Sequence, residues 1–242
     1  MYVVNKKTWI IFAVIVVGLL TALVISSRNA NPVVDVSNVK QDTILPATAA
    51  SGNIADEVYG NASSKVILVE YGDLQCPACG SAHPNIRKIT EQYKDQLAFV
   101  FRNFPLSTIH PNARSGSAAA EAAGLQGKYW DMNNYLYEHQ SNWVDLTGTS
   151  VTSTLVSYAK GLGLDTTKFT ADLAADTINQ KISFDQAIGN KLNVNSTPTF
   201  YLNGVQLSSD VVSDVQRGNG DQLRALINAD LQKVGVTPPK NS

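Results

Sequence analysis

The chain has 242 residues, 44% of them apolar, with 19 Lys and Arg against 20 Asp and Glu for a formal net charge of -1. That length allows one or two domains with a real core, and the balanced charge excludes a strongly basic nucleic-acid binder, which needs cations to neutralise phosphates. Two cysteines in a chain this long exclude a disulfide scaffold, and their placement at Cys76 and Cys79 turns attention from structure to chemistry.

Residues 1–8 make a short tail ahead of an apolar run. Trp9 to Ile25 (WIIFAVIVVGLLTALVI) is an apolar run of 17 residues without a charge. As a helix it would span roughly 26 Å, just short of a hydrocarbon core of about 30 Å, and Thr8 and Ser26 can extend it. Three readings compete: a membrane anchor over residues 9–27, a cleaved signal peptide, and a buried core helix. A terminal segment that is apolar all round and followed by polar sequence speaks against the core helix. Cleavage wants small residues in an A-x-A-like pattern, and Arg28-Asn29-Ala30 puts a bulky charge where one belongs. The anchor is the reading adopted, in contact with the bilayer through residues 9–27. Lys6 and Lys7 weigh slightly toward a cytoplasmic tail at 1–8, so the rest of the chain is expected outside the cytoplasm. Residues 28–55 lose periodicity and carry Pro32, Pro46 and Gly52, which predicts a flexible linker. An edge strand at Val33 to Val36 is the alternative there.

The folded domain is expected over 56–242. Lys65 to Tyr71 reads as a central strand covered on both faces. Cys76 to about Tyr93 follows as a helix with Cys79, Ala82, Ile86, Ile89 and Tyr93 on one stripe. Leu97 to Phe101 is the next strand, giving a parallel βαβ crossover. A helical insert at about 108–194 is predicted from segments at Pro111–Gly124, Tyr129–Gln140, Thr149–Lys160 with Gly161 as C-cap, a helix capped by Asp165, and Thr177–Leu192. Thr199 to Leu202 is extended, Asn203-Gly204 is a hairpin turn before Val205 to Leu207, and Leu223 to Val234 is a last amphipathic helix. The order is βαβ, an all-helical insert, then ββα.

Cys76-Pro77-Ala78-Cys79 lies where the first strand gives way to the first helix. Two thiols one helical turn apart can close a disulfide with little rearrangement. Cys76 sits at the helix amino terminus, where free N–H groups and the dipole favour a thiolate. Pro77 suits the first helical position, since its missing donor costs nothing there. Cys79 faces inward, so Cys76 is the thiol that attacks or is attacked and Cys79 the one that resolves a mixed disulfide. A metal site and a purely structural disulfide are the competing readings. His83, four residues after Cys79, is a candidate third ligand, yet no second cluster completes the four ligands of a structural zinc.

The segments VEYGDLQCPAC (69–79), FPL (104–106), HPNA (110–113), AAEAAGLQGKYW (119–130) and TPTFYLNG (197–204) together resemble the DsbA-like thioredoxin-fold thiol:disulfide oxidoreductases. The similarity runs from about Asp56 to Val234. It implies an α/β thioredoxin fold (βαβ…ββα) with an all-helical insertion. It also implies that Thr197-Pro198 has a cis peptide bond and faces the dithiol, leaving the Thr197 backbone to pair with an extended substrate beside Cys76, with Pro77 and Ala78 along the same edge. Glu70, six residues before Cys76, matches an acidic residue under the dithiol that exchanges the Cys79 proton. The catalytic set is then Cys76, Cys79, Glu70 and Pro198, with no organic cofactor and no metal. The implied activity is disulfide formation in thiol-containing exported polypeptides by a membrane-tethered monomer, reoxidised by a quinone-linked membrane partner. One departure stands out: the most oxidising relatives carry His next to the second cysteine, where this chain has Ala78, so a less stabilised thiolate is expected. A reductase or isomerase on the same site, and a peptide chaperone or metal carrier on the same scaffold, are the alternatives. His110 reads as a helix-entry residue and His83 and His139 as packing or surface residues. Trp130, Trp143, Tyr129, Tyr135 and Tyr137 read as core of the insert, some of them in reach of the substrate groove.

Overall fold

A computed structural model describes Trp9 and residues 12–18, 34–40 and 42–240. It divides into two compact units, Met1–Val34 and Asp35–Ser242. In the first, Trp9 and residues 12–18 are helical and largely exposed. Among the described residues no helix is long and apolar enough to cross a membrane. The tail at 1–8 and most of the anchor expected over 9–27 lie outside the described residues.

In the second unit the elements run β1 (Val58–Gly60), β2 (Ile67–Gly72), α1 (Pro77–Gln92), β3 (Ala98–Asn103), α2 (Ala113–Gly124), α3 (Tyr129–Glu138), α4 (Thr149–Gly161), α5 (Thr166–Asp172), α6 (Asp176–Lys191), β4 (Thr199–Leu202), β5 (Val205–Gln206), α7 (Ser209–Gln216) and α8 (Asp221–Lys233). The sheet order is β1-β3-β2-β4-β5. Strands β2 and β3 are parallel, while β1 on β3, β4 on β2 and β5 on β4 are antiparallel. This is the thioredoxin arrangement, with α2 to α6 inserted between β3 and β4.

The apolar run of β2 explains its central place: Leu68, Val69 and Tyr71 are at most 1% exposed, as a strand covered on both faces must be. On one face Leu68 packs with Ile86 and Ile89 of α1, Phe200 and Leu202 of β4, and Leu223 and Ile227 of α8. The insert builds a second apolar cluster around Leu74, Cys79, Phe101, Met132 and Trp143. On the opposite face Tyr71 meets Phe104 and Tyr201 edge-on. Strand alternation puts Glu70 on the same side as Leu68, toward α1 and the dithiol.

Three expectations need correction. The linker predicted at 28–55 is, from Asp35 onward, part of the domain: Val36, Leu45, Ser51 and Ile54 are buried, and a 3-10 turn at Ala49–Ser51 is capped by Thr48. The Leu45 N–H donates to Asp56 Oδ2 at 3.0 Å, and Lys191 Nζ donates to the carbonyls of Val36 and Ser37. Widely spaced apolar anchors among Pro, Ala and Ser show no periodicity, yet each fills a site on the domain. No edge strand forms at Val34 to Val36; the added strand is β1, and its three residues are too short a run to show alternation. The final ββα is ββαα, because Ser208 caps a helix over Ser209–Gln216 by accepting the Val211 N–H. At the end of α4, Gly161 is still helical and Gly163 takes the left-handed conformation (φ 75°).

Candidate active site

Strand β2 ends at Gly72, and the chain must turn before α1 begins. Asp73 makes that turn: its Oδ1 accepts the Gln75 N–H at 2.8 Å and its carbonyl accepts the Cys76 N–H at 3.0 Å. Cys76 is the N-cap residue of α1, with extended backbone, and Pro77 opens the helix. The cap has no side-chain acceptor of its own, so the leading N–H groups of α1 are left to the sulfur. Cys79, one turn inside, is 1% exposed against 6% for Cys76, and both are free thiols.

The Thr197–Pro198 peptide is cis. This loop faces the dithiol: in its thiol form Cys76 Sγ donates to the Thr197 carbonyl at 3.4 Å. The Cys76 thiol is held down to about 5. The Cys79 thiol's hydrogen bond is the largest cause. Burial opposes it, and the Thr197 side chain and the N–H groups of Cys79 and Ala78 add to it. Thr197 Oγ1 has no other partner in the protein. Burial first, then the hydrogen bond to Cys76 and the nearby Glu70 and Cys76 charges, push the Cys79 thiol well above the usual range. One sulfur is thus an anion at neutral pH and its neighbour a thiol.

Burial also lifts Glu70 to about 8, helped by the Cys76 charge, so at pH 7 most of this carboxyl is protonated. It lines a narrow pocket with His83, Trp130 and Asn133. His83 Nε2, Trp130 Nε1 and Asn133 Nδ2 are buried without a protein partner, a setting polar enough for water. His83 stacks on Tyr137 at 4.6 Å between centroids and is pushed down to about 4 by burial and by Arg87, so it is neutral.

Of the residues singled out in the sequence, Cys76, Cys79 and Thr197 meet, the Ala78 N–H turns to the Cys76 sulfur, and Glu70 lies near enough for its charge and those of the cysteines to act on one another. His139 stacks on Tyr135, a packing role. His110 was read as a helix-entry residue; its carbonyl does accept the Ala113 N–H. Its ring, however, lies 2.7 Å from the fully buried Asp73 carboxylate, which also accepts the Leu106 N–H. Asp73 and Gln75 were not singled out. Gln75 Nε2 donates to the Val144 carbonyl at 2.7 Å and its Oε1 accepts the Asn112 N–H. Their signal was their position directly before the first cysteine, inside the DLQC segment. Among the described residues no group of three or more His, Cys, Asp or Glu is placed to hold a metal ion.

The sequence profile of the family described as thioredoxin matches residues 53–218. The chain belongs to this thioredoxin family. Its fold is the DsbA-like form. BdbD of Bacillus subtilis (oxidised) matches with TM-score 0.62 at 22% identity, over 78% of this chain and 98% of that one. Alpha-DsbA1 of Wolbachia pipientis matches with TM-score 0.61 at 21% identity, over 74% and 92%. MdbA of Corynebacterium diphtheriae, described as a thiol-disulfide oxidoreductase, matches with TM-score 0.56 at 17% identity, over 76% and 98%. Among curated proteins, Na(+)/H(+) antiporter NhaA 1 of Salinispora arenicola is 34% identical over 200 residues, 83% of this chain but 28% of the antiporter. NhaA 1 of Mycolicibacterium vanbaalenii is 34% identical over 62% of this chain and 24% of its own length. The chain therefore spans about a quarter of these relatives, and what it shares with them is one portion of a longer polypeptide.

Proposed function

We propose that the protein is a thiol:disulfide oxidoreductase that forms disulfides in exported polypeptides through Cys76 and Cys79. The observation that carries this reading is the asymmetry of the pair: an acidic Cys76 at a helix amino terminus, beside the Thr197 carbonyl, with a buried and protonated Cys79 behind it. In the disulfide form, a substrate thiolate attacks Cys76 Sγ, the S–S bond breaks, and Cys79 leaves as a thiolate. Glu70, protonated at neutral pH, supplies the proton that makes Cys79 a thiol. The substrate's second thiol then loses its proton to solvent and attacks the substrate sulfur of the mixed disulfide, expelling Cys76 as the thiolate its surroundings favour. Two electrons pass to the enzyme, and a quinone-linked membrane partner takes them on.

A stable leaving thiolate favours this direction, because a disulfide whose reduced form is stabilised is a stronger oxidant. A value of about 5 falls between the ~7 of thioredoxin and the ~3.5 of the most oxidising relatives. That agrees with Ala78 in place of a histidine donor. The apolar run at Trp9–Ile25 supports a membrane tether with the domain outside the cytoplasm. Kinship with a portion of proteins named as antiporters also supports work at a membrane.

The test is the equilibrium of the full chain with glutathione, read together with the pH dependence of alkylation. The expected result is a potential more oxidising than thioredoxin's, rapid labelling of Cys76 down to about pH 5, and labelling of Cys79 only after unfolding. A thioredoxin-like potential would turn the reading to a reductase, and equal, slow labelling of both thiols would remove it.

A further inference from the structure

The turn that carries the dithiol is held from outside the strands and helix that form it. Between α3 and α4 the insert makes a 3-10 turn at Gln140–Asn142. The Gln140 side chain reaches from there to the active-site turn, where Nε2 donates to the carbonyls of Leu74 at 2.9 Å and Cys76 at 3.0 Å. The Cys76 carbonyl also accepts the Gly80 N–H at 3.0 Å, the first hydrogen bond of α1. Gln140 thus spends both amide hydrogens on carbonyls of the turn that carries the reacting sulfur.

Its amide oxygen lies over Gly80 so closely that a Cβ built there would come within 2.5 Å of Oε1. Gly80 does not have a positive φ, so its backbone asks for no glycine. What the missing side chain provides is room for the glutamine. Neighbouring contacts fasten the same turn: Tyr137 Oη donates to the Asp73 carbonyl at 3.3 Å, and Gln75 Nε2 holds the Val144 carbonyl.

We propose that Gln140 is a positioning residue of the dithiol: by pinning the Leu74 and Cys76 carbonyls it fixes the turn from which the α1 N–H groups point at the Cys76 sulfur. The proposal rests on Cys76 being the reacting thiol. Anion stabilisation by N–H groups depends steeply on distance and angle. A turn freed to rotate its carbonyls would carry those donors off the sulfur. The positive end of the glutamine amide also faces the residue that must hold the charge.

The test measures the Cys76 pKa, from thiolate absorbance near 240 nm, and the glutathione equilibrium for the full-length protein and for Q140A, Q140M and G80A. In Q140A and Q140M the pKa should rise by about one unit and the equilibrium constant for oxidising glutathione should fall about tenfold, since one pKa unit is a factor of ten. G80A should do the same by displacing Gln140, and in the G80A/Q140A double variant the Gly80 change should add nothing further. Q140A and Q140M decide the matter on their own if G80A does not fold. An acidic wild-type thiol that is unchanged in both glutamine variants overturns this proposal alone, as does a G80A shift of equal size in both backgrounds. A wild-type Cys76 that titrates like an ordinary cysteine overturns the reading of the site and this proposal with it.

Discussion

A carboxyl sealed under a dithiol leaves a mark on stability as well as on rate. Glu70 has a folded value of about 8 against 4.5 for an ordinary glutamate. Between those values the folded protein holds a proton that the unfolded chain has lost, so this residue removes stability as pH rises through the window. Cys76 acts the other way: its folded value of about 5 lies below 9.0, so it adds stability as pH rises from about 5 toward 9. In the reduced wild-type protein the two oppose each other from about pH 5 to 8. With Glu70→Gln only the cysteine contribution remains, and the urea midpoint of the reduced variant should climb more steeply from pH 5 to 8 than that of the wild type. Formation of the mixed disulfide from the oxidised protein should also slow in that variant, by on the order of tenfold or more, because the departing Cys79 loses its proton donor. Parallel midpoint curves for the two proteins would contradict the assignment.

At the level of elements, the sequence was most legible where one face is buried. The stripe Cys79, Ala82, Ile86, Ile89 and Tyr93 is buried as a set, and β4 runs over the predicted Thr199–Leu202. Asn203 and Gly204 both take positive φ (47° and 79°), as the turn chemistry of a two-residue hairpin requires. Asp165 caps α5 by accepting the N–H groups of Thr167 and Lys168. Helix α7 was hidden because Val211, Val212 and Val215 are β-branched and suggest a strand; its signal was the serine cap. The site divides in the same way. Cys76, Cys79 and Thr197-Pro198 announce themselves by residue type and motif. Gln75 and Gln140 act through backbone carbonyls and N–H groups that lie far off in sequence, as Asp73 does toward Leu106, and no local pattern encodes such partners.

Across the whole molecule, the arm at 35–56 is joined to the sheet by charge. Asp56 is fully buried and accepts from Arg102 and Lys181 at 2.8 and 2.9 Å, and Lys181 also donates to Asp185 at 2.7 Å. Asp185 in turn accepts from the N–H and side chain of Asn103 on β3, and Asn103 Nδ2 donates to Glu121 of α2. Arm, sheet and insert therefore share one ionic network. Its attractions offset the burial cost only while it is complete. Asp56→Asn should destabilise the domain by about 3–5 kcal/mol, since two buried cations lose their shared anion. Denaturant unfolding checks this, and a loss under about 1 kcal/mol would mean the arm is dispensable. The Cys76 pKa should not move, because Arg102, which holds Asp56, pairs with Tyr71 and so points to the face away from Glu70 and the dithiol.

The hidden second thiol has a bearing on damage. A peroxide that meets the exposed edge of Cys76 converts the thiolate to a sulfenic acid, and further attack would ruin it. One turn away waits a thiol that bulky oxidants cannot reach first. Condensation between the two expels water and yields the intramolecular disulfide, the form ready to accept a client. Limited peroxide treatment should therefore lower the mass of the reduced protein by two hydrogens and leave it active, whereas Cys79→Ser should gain oxygen and die. On the proposed function, an oxidative insult to this dithiol amounts to being recharged.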